Sequence, residues 1–176
     1  MAAASFEVEC LPRLLEAFYM RNCPAIDRIL KTASEILRTA GKVCEISGYN
    51  RSPQDVWVLV SAIWAAICWL NLSYALPPAS FEVEGQKIHA SEAIWGTGVT
   101  NCLDTSLLFV TCLEQAQLHP VIALTENHAF CGIWLCKVTL SALIAEEAEL
   151  LRKHAVLSDL WASRKTCDGK NKETAD

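Results

Sequence analysis

The 176-residue chain predicts an α+β domain, and three observations predict it. Two stretches with helical periodicity and capping signals lie in the first half. A third, nearly all-apolar helix begins at Cys102. Two short β-type runs, Val121 to Leu124 and His128 to Cys136, follow it directly. Helices first, then a buried helix followed by adjacent strands, argue for an α+β domain.

Each element has its own local reason. Ser5 to Leu11 has a short strand-like pattern. Pro24 to Ala40 reads as a helix, because Ile26, Ile29, Leu30, Ala33, Ile36 and Leu37 fall on one stripe. Pro24 suits a first helical position and Gly41 the residue just past the end. Gly41 to Arg51 reads as a loop. Ser52-Pro53-Gln54-Asp55 then reads as a cap, with the acid three residues after the serine.

The stretch behind that cap, Val56 to Phe81, has no charged residue. A membrane span needs about 20 apolar residues, so one crossing over 56–76 is an alternative to be tested. Ser61, Asn71 and Ser73 interrupt the run, Pro77-Pro78 stop it, and no clear Lys/Arg asymmetry flanks it. A helix buried on all sides is the preferred expectation.

Pro77 to Ile88 reads as a hairpin-like piece, Ser91 to Trp95 as one helical turn, and Gly96-Thr97-Gly98 as a flexible approach to Cys102. The helix from Cys102 to Gln117 is capped by Asn101, with Asp104 where an acid meets free backbone N–H groups. His119-Pro120 ends it. Glu146 to His154 reads as a polar helix and Arg164 to Asp176 as a charged tail. The organisation expected is an N-terminal strand and helix region over 1–51, a core over 52–163 and a polar tail over 164–176.

Composition narrows the function classes. The net charge is −5 with no basic stripe, so no direct nucleic-acid binding is expected. The nine cysteines are an odd number, and the N-terminus lacks the basic and apolar regions of a signal peptide. A reducing, cytoplasmic setting is expected over a disulfide framework. No Cys-x-x-Cys pair occurs, so neither a metal site nor a cofactor is expected.

Chemistry concentrates in two places. Cys102 opens an apolar helix, and His128 opens an apolar strand 26 positions later. A thiol at a helix start faces the positive end of the macrodipole, which favours a thiolate. A neighbouring imidazole supplies the proton transfer that acyl chemistry through a thioester needs. His89, His119 and His154 read as ordinary structural histidines, and Cys112, Cys131 and Cys136 as core residues.

The run Asn101-Cys102-Leu103-Asp104 through Asn127-His128-Ala129-Phe130 to Trp134-Leu135 resembles the transglutaminase-like cysteine hydrolase superfamily. That family has a Gly-Thr-Cys-Leu-Asp helix start and a Gly-His-Ala-Phe-type strand. Pro24 to Leu30, Ile63 to Ala66 and Pro77 to Ile88 extend the likeness to the N-terminal module of large bacterial superfamily I helicase fusion proteins. The resemblance spans about residues 6–160 and is most specific around the cysteine and histidine.

The resemblance implies a papain/transglutaminase-like core, with the nucleophile helix on a small antiparallel sheet. It implies Cys102 as nucleophile and His128 as general base; the capped cysteine and the His-Ala-Phe strand lead to the expectation of a peptide or protein substrate, cleaved at a peptide or isopeptide bond. Thr100-Asn101 stands where the family has Gly-Thr. The family also places an acid or amide on the strand after the histidine strand; this chain reads Leu160-Trp161-Ala162-Ser163-Arg164 there, with Asp159 the nearest carboxylate. Asp159 is therefore the third candidate. The weak third position motivates an alternative: a catalytically impaired or truncated interaction module partnered with a helicase domain or subunit.

Overall fold

The computed structural model describes Met20, residues 22–75, 88–124 and 128–137, and the backbone of residues 160–163. The strand-like pattern at Ser5 to Leu11, the Pro77 hairpin, the Glu146 helix, the charged tail and Asp159 lie outside the described residues.

Helix α1, Pro24–Thr39, buries Ile26, Ile29, Leu30, Ala33 and Leu37 on one side, as the stripe requires. It closes on Gly41 in the left-handed region at φ 65°, and Lys42 N–H returns to the Leu37 carbonyl. Helix α2, Pro53–Cys68, starts at the serine cap: Ser52 accepts from the Asp55 N–H. Its end differs from expectation. The apolar run continues in sequence, but the helix stops after 16 residues, about 24 Å at 1.5 Å per residue. Asn71 takes a left-handed conformation at φ 49°, which asparagine tolerates and most residues do not. The chain then leaves in strand β1, Ser73–Tyr74. The single crossing over 56–76 is thereby corrected: no helix among the described residues is long and apolar enough to cross a membrane.

Helix α3, Ser91–Thr97, is followed by Gly98 at φ 67° and by strand β2, Val99–Thr100. Gly96-Thr97-Gly98 is thus helix and helix cap rather than a flexible linker. β1 and β2 pair in parallel, Ser73 with Val99 and Tyr74 with Thr100. This two-residue pairing delivers the chain to helix α4, Cys102–Gln115. α4 ends earlier than expected, because Gln117 turns left-handed at φ 61° and Leu118 N–H returns to the Leu113 carbonyl.

Strands β3, Pro120–Leu124, and β4, Ala129–Trp134, form an antiparallel pair with Ile122 opposite Cys131. Strand β5, Leu160–Ser163, adds to the other side of β4, also antiparallel, with Leu160 opposite Trp134 and Ser163 opposite Cys131. Mixed helices and small sheets place the protein in the α+β class.

α4 is the hub. It packs against α1, α2, α3, β3 and β4, and every residue from Asp104 to Leu113 is buried. Phe109 is fully buried, its ring 5.2 Å from that of Trp64 in α2. The apolar core runs without a break through α1, α2, α4 and β4, so the 1–51 and 52–163 regions share it. Cross-ties fix the periphery. Ala25 N–H donates to Glu92 at the start of α3, and Arg28 lies over the Trp95 ring. Tyr49 donates its hydroxyl to the Trp134 carbonyl and accepts from His119 N–H, fastening the 41–51 loop to the sheet.

Candidate active site

The site is best built from the cap of α4. Asn101 sits in an extended conformation, and its Oδ1 accepts the Asp104 N–H at 3.0 Å. The Thr105 N–H closes the first helical turn on the Asn101 carbonyl at 3.0 Å. Thr105 Oγ1 also donates to that carbonyl and meets Thr100 Oγ1 at 2.8 Å. Among the described residues the amides of Cys102 and Leu103 have no acceptor. They are helix-terminal donors, pointing out where Cys102 begins the helix. Cys102 itself is 8% exposed.

Asp104 is wholly buried, and a buried carboxylate is tolerated only when paired and hydrogen-bonded. Its oxygens take three partners. Asn101 Nδ2 donates to Oδ2 at 2.7 Å, His89 N–H donates to Oδ1 at 2.9 Å, and His89 Nδ1 lies 2.8 Å from Oδ2. The His89 side chain remains 25% exposed. His89 is therefore tied to the cap of α4 through both its backbone and its ring. The contact joins residues 15 apart across α3, and no local pattern signals it.

His128 precedes β4 and is exposed. Its ring lies 6.1 Å from that of Phe130. The next residue, Ala129, is buried, and its carbonyl accepts from Ser106 Oγ at 3.3 Å. Ser106 lies one helical turn beyond Cys102, on the same side of α4. The structure thus brings the backbone at His128 to the first turns of the cysteine helix. Asp159 lies outside the described residues; Leu160 pairs with Trp134, at the end of β4 remote from His128. The end of β5 nearer His128 is Ser163.

The other thiols are set apart chemically. Cys112 and Cys131 are fully buried, and burial pushes both thiols far above the usual range. Cys136 is only partly buried, short of the core position expected for it. All seven described cysteines are free. Among the described residues no cluster of His, Cys, Asp and Glu could hold a metal ion.

A cleft of about 460 Å³ lies elsewhere, at the far end of α4, lined by Tyr49, Asn50, Glu114, Gln117, His119 and Lys137 among others. It contains none of Cys102, His89 and His128. His119 contributes there through an edge-on contact with the Tyr49 ring, 5.3 Å between centroids. Compared with known proteins, the chain matches no family model, no curated protein and no solved structure.

Proposed function

We propose that the protein is a cysteine-dependent hydrolase or acyltransferase acting on peptide or isopeptide amides. One observation carries this reading: Cys102 opens a capped helix whose first two amides have no acceptor among the described residues. The positive end of the helix macrodipole lies at that place. The free amides supply donors for a developing oxyanion. The Cys102 sulfur attacks the amide carbonyl carbon, and the tetrahedral adduct collapses to a thioester as the C–N bond breaks. His128 takes the thiol proton and delivers it to the departing amine. Water or a second amine then attacks the thioester and regenerates the thiol. The Ser106–Ala129 hydrogen bond supports His128 as the base, because it holds the start of β4 beside the cysteine turn.

The test is alkylation by iodoacetamide near pH 6, with adducts mapped by mass spectrometry. Cys44 and Cys68 are exposed and serve as internal references. An activated Cys102 outpaces both despite its burial, and His128→Ala slows it. Alkylation of Cys102 no faster than of Cys44 overturns the reading.

A second reading has one observation in its favour. The described part of β5 reads Leu160-Trp161-Ala162-Ser163, with no carboxylate or amide to orient His128. On this reading the domain is an interaction module of a helicase-associated, nucleic-acid-processing or defence protein. A folded protein with an inert Cys102 that co-purifies with a helicase subunit supports it over the first.

A further inference from the structure

The buried Asp104 carboxylate and the His89 ring together look like the acid–histidine part of a catalytic triad. Their placement on the helix gives them a different task. Cys102 and Asp104 are two positions apart, and residues so spaced face opposite sides of a helix. The cysteine side continues through Ser106 to Ala129 and the His128 strand. The Asp104 side is taken by His89 and Asn101.

The network has a direction. His89 holds both Asp104 oxygens, one through its backbone N–H and one through its ring. Asp104 in turn holds the Asn101 side chain from both ends: Oδ2 accepts from Nδ2, and the Asp104 N–H donates to Oδ1. Asn101 is the residue that decides where α4 begins. Without the ring donor, a buried carboxylate loses one of three partners and draws its neighbours out of place to replace it. The first amides of α4 then lose their fixed direction.

We infer that His89 is a positioning residue for Cys102, acting through Asp104 and Asn101 to fix the start of the nucleophile helix. This rests on the cysteine-hydrolase reading. The working atom is Nδ1, the ring nitrogen 2.8 Å from Asp104 Oδ2. His89 reaches the chemistry only through the cap and does not itself move the substrate proton.

The experiment compares wild type, His89→Ala, His89→Asn and His89→Gln in the full chain. The readouts are the iodoacetamide rate at Cys102 near pH 6, the rate at Cys44 as reference, and the melting temperature. An asparagine amide N–H lies near the position of Nδ1, whereas that of glutamine lies near Nε2. His89→Ala is expected to slow Cys102 about tenfold with Cys44 unchanged, the scale of a lost interaction with a helix N-terminus. His89→Asn is expected to recover most of that rate and His89→Gln little of it.

A wild-type rate in His89→Ala overturns the inference while leaving the nucleophile intact. Recovery by His89→Gln and not by His89→Asn also overturns it, since Nε2 would then be the working atom. If His89→Ala does not fold, the asparagine and glutamine variants decide between the same outcomes. A wild-type Cys102 no faster than Cys44 removes the nucleophile reading, and this inference with it.

Discussion

Two helix starts in this protein use nearly the same motif. At α2, Ser52 caps the helix and its hydroxyl donates to Asp55 Oδ2 at 2.6 Å. At α4, Asn101 caps the helix and pairs with Asp104 in the same three-residue spacing. The first pair is exposed and the second is buried. Water can satisfy the spare lone pairs of Asp55. Asp104 has no such recourse, and a backbone amide and an imidazole from another part of the chain satisfy it instead. An exposed cap ends a helix; a buried one ties the helix end to distant residues.

The comparison breaks first at Asp104. Replacing Asp104 with alanine leaves the buried Asn101 amide and the part-buried His89 donors without their acceptor. The expected loss is about 3–5 kcal/mol, the scale for breaking a buried charged network, read from urea denaturation midpoints. A loss below ~1 kcal/mol would mean that the buried cap is energetically no different from the exposed one.

A second contrast runs along α4 itself, from Cys102 at its start to Cys112 in its shielded interior. Burial holds the Cys112 and Cys131 thiols above their ordinary value of 9.0. The folded protein therefore keeps protons that the unfolded chain releases. This contribution is fully present below about pH 9 and is lost as the pH climbs, by ~1.4 kcal/mol per pH unit for each thiol. Denaturation at pH 8 and pH 10 measures it, and Cys112→Ala should flatten the slope.

The smallest effect is at the exposed cap. Ser52→Ala should cost about 1 kcal/mol and leave Cys102 alkylation unchanged. A change at Cys102 from so remote a cap would blur the distinction between the two helix starts.

What could be read from the residues alone follows from the range of each interaction. Both caps were legible because a cap is a three-residue signal. α1 was legible from its apolar stripe, and β3 and β4 from their short apolar runs. The end of α2 was not: composition continues past Cys68 unchanged, and the stop depends on the backbone at Asn71. The β1–β2 pairing joins residues 26 apart through two residues on each strand, too short for a pattern. The His89–Asp104 contact was not legible either. It is a tertiary contact, and a lone histidine in sequence looks the same with or without it. Cys102 was legible as a helix start, whereas His128, read as the first residue of a strand, stands just before β4.

The burial of α4 on nearly every side has a consequence for hydrogen exchange. Its interior amides open to solvent only when the elements around it separate, so they should exchange at the rate of global unfolding. Exposed segments such as the start of α2 should exchange through local fraying. Cys102 therefore sits at the edge of a segment whose amides should be among the slowest to exchange of the described residues.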